Sequence, residues 1–154
     1  MKQLFLSIFP RELRRNAAYW RGVTLGFIIV LLVIFQLFTF EDFPAIVQGW
    51  GLPGDRVLAY VLAGLLPFLG VASLPFLLSM RLPLWLWRFS RVCLLLLGTV
   101  WLSIAVWCNV THLSIESGLF GATLPLMTGW WTVLFAGLLL ASGVVVVREL
   151  PRRK

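Results

Sequence analysis

Four long stretches of the chain carry no Asp, Glu, Lys or Arg, and this segregation of charge most constrains the fold. The charge-free stretches are residues 22–40, 57–80, 92–115 and 117–147. Each is long enough to cross a bilayer, which takes roughly 20 mostly apolar residues in a helix. A helix of a soluble core also needs a polar outer face, and runs such as "VLLVIFQLF" have none. With 60% hydrophobic and 12% charged residues, the sequence predicts an integral membrane protein.

The predicted fold is all-α, an antiparallel bundle of four membrane helices in a single domain over residues 1–154. Helices are predicted rather than strands because lipid offers backbone groups no partner outside the segment. Short loops should join sequence neighbours. The approximate boundaries are an interfacial segment over residues 1–20 and spans over residues 22–40, 57–80, 92–112 and 123–147.

The second predicted span contains residues that interrupt helical hydrogen bonding or lack a side chain, namely Gly64, Pro67, Gly70 and Pro75. Each proline removes a backbone donor and crowds the carbonyl four residues earlier, so we expect a kinked helix. A neighbouring helix could approach closely at the small residues Gly64, Ala72 and Ser73. The alternative is that the kink lines a ligand cavity. The loop before this span, residues 41–56, mixes Pro and Gly with apolar residues, which predicts a partly ordered cap.

Basic residues are divided unequally between the two sides of such a bundle. With four spans, both termini and the loop after the second span share one side, which holds every one of the 13 Lys and Arg residues except Arg56. The positive-inside rule then predicts cytoplasmic termini, in the inner or plasma membrane of a bacterial cell. The net charge of +7 does not indicate nucleic-acid binding, because these cations flank spans, where they interact with anionic lipid headgroups. Membrane lipid is the predicted partner.

Few residues offer reactive chemistry. Cys93 and Cys108 fall on one predicted helix, roughly 22 Å apart at 1.5 Å per residue, which is too far for a disulfide. His112 is the only histidine, so a haem held by two histidines and a His-rich metal site within one chain are excluded. His112 and Glu116 would face each other in a helix, either as a proton-handling pair or as a solvated loop pair. We predict no catalytic residue, metal or resident cofactor.

The order "SGLFG", residues 117–121, then "GWWTVLFAGLLLA" at the last span resembles the MauE/DoxX-like family of redox-associated four-helix membrane proteins. The resemblance extends to "FPAIVQGWGLPGDRVLAYVLAGLLPFLGVASLPFLL" and covers most of residues 22–147. Many members carry a loop like "CGCFG", where this chain has Ser117 and Leu119. Members often show a Glu where this chain has Gly70. Only a thiolate attacks and exchanges disulfides, so the resemblance implies a redox loop without its reactive atoms.

The residues that match the family loop are Gly118, Phe120 and Gly121, which suit a tight turn with an aromatic plug packed onto the bundle. The first functional hypothesis is a non-catalytic membrane subunit or assembly factor that supports a protein partner or forms a homo-oligomer. The second is a thiol- or quinone-linked redox component whose cysteines come from a partner. The third is a small transporter or lipid-binding protein, since broken helices can line substrate sites.

Overall fold

The computed structural model describes residues 17–80, 82–111, 116–121 and 126–150. These residues form five helices and no strand longer than an isolated bridge. The helices are α1 (Ala17–Phe38), α2 (Phe43–Gly49), α3 (Asp55–Leu77), α4 (Leu84–Val110) and α5 (Trp130–Glu149). Most of the predicted interfacial segment, residues 1–16, lies outside the described residues.

Four of these helices, α1, α3, α4 and α5, are long and apolar enough to cross a membrane. The predicted all-α bundle of four membrane helices is confirmed. Two helix ends differ from the approximate spans. Helix α4 begins at Leu84, eight residues before the predicted span. The prediction missed its first turns because they contain Arg88 and Arg91, whereas the predicted spans were charge-free runs. Helix α5 begins only at Trp130, because the residues before it include an extended segment that lacks charge just as a span does.

The four long helices form a closed ring in the order α1, α3, α4, α5, with α5 returning to α1. Neighbours are antiparallel, since the start of each helix meets the end of the next. Gly22 near the start of α1 lies against Leu77 at the end of α3, and Asn109 near the end of α4 donates a hydrogen bond to the carbonyl of Gly129, just before α5. We call the end of the bundle that holds Phe38, Asp55, Val110 and Trp130 the capped end. The opposite end, with Ala17, Leu77, Leu84 and Glu149, is the basic end.

Helix α2 covers part of the capped end. Phe43, Pro44 and Val47 form its buried face, which packs on α3. A proline near the first helical position costs no hydrogen bond, because that N–H has no partner inside a helix. The partly ordered cap predicted for this loop is therefore confirmed as a two-turn helix.

Helix α3 remains helical through both Pro67 and Pro75, but a side chain of α4 enters its hydrogen-bond ladder. Ser90 is buried, and its hydroxyl oxygen accepts from the Phe76 amide at 3.1 Å. The same hydroxyl donates to the Ala72 carbonyl at 2.6 Å. A proline and an inserted side chain are two usual causes of a helix kink. The ladder is thus interrupted at one of the two positions where the kink was predicted.

The small residues of α3 differ in what they contact. A Cβ added to Gly70 would collide with Val33 of α1, so this glycine permits the close approach that was predicted. Gly64 has no atom within 4 Å of the place where its Cβ would stand. The expectation that a neighbouring helix approaches Gly64 closely is wrong among the described residues, because no atom of another helix lies within contact distance of this Cβ position.

Candidate functional site

Residues 116–121, here called the strap, cross the capped end of the bundle. Glu116 forms an antiparallel bridge with Met127. The Ser117 amide donates a hydrogen bond to the Leu126 carbonyl at 2.8 Å. The strap is therefore joined by its backbone to the residues that lead into α5, and no part of it is helical.

Two glycines shape the strap. Gly118 and Gly121 have φ of +66° and +59°, a region that residues with a side chain rarely adopt. The Gly121 amide donates to the Gly118 carbonyl at 3.1 Å, which closes a turn. A Cβ on Gly118 would lie 2.8 Å from the Trp50 ring, and one on Gly121 would lie 2.7 Å from the Phe35 carbonyl oxygen. The predicted tight turn is confirmed, and both its conformation and its packing require glycine.

The side chains between these glycines fill the capped end. Leu119 is buried in the core. The Phe120 ring lies 5.9 Å from the Phe35 ring of α1, edge to face, and 6.4 Å from the Phe135 ring of α5. Aromatic pairs at such distances and angles attract each other beyond their buried area. Phe120 thus bridges α1 and α5, which confirms the predicted aromatic plug.

Two side chains hold the strap by donating to its backbone carbonyls, and a third side chain holds the backbone of Trp50. The Gln36 amide of α1 donates to the Leu119 carbonyl at 3.2 Å. The Trp50 indole, at the end of α2, donates to the Glu116 carbonyl at 3.1 Å. The Trp107 indole of α4 donates to the Trp50 carbonyl at 3.2 Å. Donors from three elements therefore fix the position of the strap and of the loop after α2.

Trp50 is the centre of this arrangement. Its side chain is fully buried, with its ring 6.4 Å from that of Phe43 and 6.0 Å from that of Trp101, both edge to face. A buried indole N–H normally needs an acceptor, and the strap supplies it. The aromatic core and the strap are consequently parts of one packed unit.

The strap leaves little internal space. A cavity of ≈ 10 Å³ lies beneath it, lined in part by Cys108, Ser117, Leu119 and Thr132. The Ser117 hydroxyl is buried and has no hydrogen-bond partner among the described residues. A cavity of this size holds one water at most, whereas pockets for organic ligands typically enclose about 300 to 1,000 Å³.

Of the two residues in the predicted outer pair, the structure describes Glu116 but not His112. Glu116 belongs to the bridge and is half-buried, so it is not on a helix as that pairing assumed. His112 lies outside the described residues. The His112 and Glu116 pair therefore stays a prediction.

The cysteines offer no exposed thiol. Cys93 and Cys108 are both free and both buried on α4, as the sequence predicted. Among the described residues, no group of three or more His, Cys, Asp or Glu side chains is placed to hold a metal ion. The described part of the capped end is held together by packing and hydrogen bonds.

The sequence did not predict which side chains hold the strap, the loop after α2 and the start of α5. Gln36 and Asn109 are amides within otherwise apolar runs, and that was the available signal. The Asn109 amide nitrogen donates to the Gly129 carbonyl at 3.2 Å, across the start of α5. Nothing in the local sequence of Trp50 or Trp107 indicates a carbonyl partner, which lies 66 residues away for Trp50 and 57 residues away for Trp107.

Comparison of the chain with protein-family models, curated proteins and solved structures found no match. The resemblance to the MauE/DoxX-like family therefore stays a prediction. The geometry described above, together with the residues themselves, is the basis for the functional proposal.

Proposed function

We propose that this protein is a non-catalytic membrane subunit or accessory factor, of the MauE/DoxX-like type, that supports a protein partner through its capped end. The observation that carries the proposal is the way the strap is held. Its backbone is fixed by Gln36 and Trp50, and its Phe120 ring packs between α1 and α5. A loop held in this way supplies a fixed surface, whereas thiol chemistry would need reactive sulfur at its tip.

The same end carries large apolar side chains that the bundle does not cover. Val110 ends α4, while Met127 and Trp130 lie where the chain enters α5; the last two are 62% and 75% exposed. Tryptophan and methionine are enriched in protein interfaces, and exposed tryptophan is also common at membrane boundaries. We assign these three residues to the surface that meets the partner, a second membrane protein or another copy of this chain.

We further propose that both termini are cytoplasmic and that the capped end faces the outside of a bacterial inner membrane. The support is the concentration of Lys and Arg at the basic end. A tag fused after Lys154 should be protected from reagents added to intact cells. Labelling of that tag from outside would reverse the orientation.

The partner proposal is tested by photo-crosslinking in the native membrane. A photoreactive phenylalanine analogue at Met127 or Trp130 should give one discrete crosslinked protein. The matched control is the same analogue at Phe27, an exposed apolar residue within α1, which should crosslink mainly to lipid. Equal protein crosslinking from Phe27 and Trp130, or none from either Met127 or Trp130, would contradict the proposal.

A separate variant tests whether the two cysteines take part in the function. Replacing Cys93 and Cys108 together with Ala should leave partner capture unchanged, since neither sulfur has a role in this proposal. Loss of the partner from a variant that still folds would favour the second hypothesis, in which the protein takes part in thiol or quinone redox chemistry. The cavity of ≈ 10 Å³ beneath the strap is too small for an organic electron carrier, so under the second hypothesis the carrier would bind elsewhere on the protein.

A further inference from the structure

A groove of ≈ 530 Å³ runs along the junction between α1 and α5, on the half of the bundle nearer the basic end. The chain closes its ring here, and the two helices share fewer contacts with each other than with their other neighbours. Below its mouth, the groove is lined by Thr24, Leu25, Ile28, Ser142, Val145 and Val146.

The groove changes character along its length. Trp20 and Arg21 lie at its mouth, in the first turns of α1. Ile28 lies seven residues further along the same helix, roughly 10 Å deeper at 1.5 Å per residue. A charged mouth followed by an apolar channel matches an amphiphile with one polar end.

The mouth carries an excess of positive charge. Arg21 forms an ion pair with Glu149 through its Nη1 atom, and a guanidinium has five N–H donors, so donors remain for a second acceptor. The Arg21 side chain is 56% exposed. Arg148 is also exposed in the last turn of α5 and follows Val145 by three residues, which places it on a neighbouring helix face. Among the described residues, Arg21 at the mouth and Arg148 beside the groove outnumber the Glu149 carboxylate, which leaves this end of the groove net positive.

We propose that this groove binds an anionic phospholipid, with the phosphate at Arg21 and one acyl chain along Leu25, Ile28 and Val145. Basic sites between membrane helices are suited to anionic headgroups. A second copy of the chain fits less well. Two copies in one membrane place their basic ends at the same depth, so a symmetric contact through this groove would bring the same cations together. The site lies at the end opposite the strap and does not depend on the function proposed for the capped end.

The test compares two lipids on the full-length protein in detergent. Native mass spectrometry would measure retention of phosphatidylglycerol and phosphatidylcholine with identical acyl chains. The wild-type protein should retain phosphatidylglycerol preferentially. Arg21→Gln should weaken that retention about five-fold, the effect expected of one cation at a headgroup, while Glu149→Gln should strengthen it. The matched control is Arg88→Gln, which removes an exposed cation from α4, away from the groove, and should change nothing.

A second variant tests the apolar part of the groove, so that the proposal does not depend on the folding of Arg21→Gln alone. Ser142→Leu fills the groove but keeps Arg21 and Glu149, so it should reduce retention of both lipids if the acyl chain lies there. Three results would overturn the proposal: equal retention of the two lipids by wild type, equal loss in Arg21→Gln and Arg88→Gln, or unchanged lipid retention in a folded Ser142→Leu variant. A mass equal to two chains that excludes lipid would also overturn it, in favour of a dimer contact. None of these readings involves the partner of the capped end.

Discussion

Different kinds of contact hold the elements together at the two ends of the bundle. At the capped end, buried donors from Gln36 and Trp50 bind carbonyls of the strap. At the basic end, α1 and α5 are joined by an ion pair, Arg21 with Glu149, whose side chains are 56% and 34% exposed. Exposed ion pairs contribute little, whereas a buried polar group left without its partner is costly. Substitutions should therefore destabilise the protein more at the capped end than at the basic end.

The largest effect is expected from Gly121→Ala. The alanine would take up a φ of +59°, and its Cβ would lie 2.7 Å from the Phe35 carbonyl and closer still to Thr39. Backbone strain and overpacking together should lower the free energy of unfolding by about 3 kcal/mol. Reversible denaturation of the purified protein in mixed detergent micelles would measure the change.

The control for Gly121 is Gly137→Ala. Gly137 lies within α5, and no atom stands within 4 Å of its added Cβ. Alanine there should raise stability slightly, by about 0.5 kcal/mol, because it restricts the unfolded chain and suits a helix better than glycine. If Gly121→Ala is no less stable than Gly137→Ala, the strap is not tightly packed on α1.

The next effect is expected from Trp50→Phe, which keeps an aromatic ring but removes the indole N–H. The Glu116 carbonyl would lose its donor in a packed environment, and the ring contact with Trp101 would weaken. We expect a loss of about 2 kcal/mol. Trp130→Phe, at a residue 75% exposed, should change stability by less than about 0.5 kcal/mol. A Trp50 variant as stable as the Trp130 variant would show that the indole bond does not hold the strap.

Ser90→Ala tests a buried hydrogen bond on the other half of the bundle, because Ser90 is buried near the basic end. Its removal leaves the Phe76 amide and the Ala72 carbonyl without the bridging hydroxyl. Hydrogen bonds between membrane helices average about 0.6 kcal/mol and reach about 1.7 kcal/mol, so a loss of about 1 kcal/mol is expected from the same denaturation measurement. Ser103→Ala removes an exposed hydroxyl that bonds only within α4, to the Thr99 carbonyl, and should have almost no effect. If Ser103 matters as much as Ser90, the bond across α3 and α4 has no special role.

The sequence predicted the parts of the fold that depend on local composition. Long charge-free runs identify four membrane helices, because burial in lipid excludes unpaired charges over a whole span. The turn at Gly118 and Gly121 and the plug at Phe120 were also predictable, since small residues around one aromatic residue favour a tight, packed turn. These features are visible within a few neighbouring residues.

The remaining features depend on residues far apart in the chain. The start of α5 at Trp130 was missed because residues 126–129, which are not helical, lack charge just as a span does. Gln36 was visible as an amide in an apolar run, but its acceptor lies 83 residues away at Leu119. Whether a glycine such as Gly64 faces a neighbour or the outside depends on the rotation of its helix, which an almost uniformly apolar surface does not indicate.

The smallest effect is expected from Arg21→Gln, which breaks the ion pair with Glu149. Both side chains are substantially exposed, so solvent screens the attraction and the loss of stability should be at most about 0.5 kcal/mol, decreasing further as salt is added. Denaturation at low and high ionic strength would measure both quantities. If instead the variant loses as much stability as Trp50→Phe, the seam between α1 and α5 at the basic end is as essential as the strap, and the contrast between the two ends fails. A small, salt-dependent loss would mean that the ring is closed mainly by Phe120 at the capped end, which leaves the groove at the basic end free to accommodate lipid without unfolding the bundle.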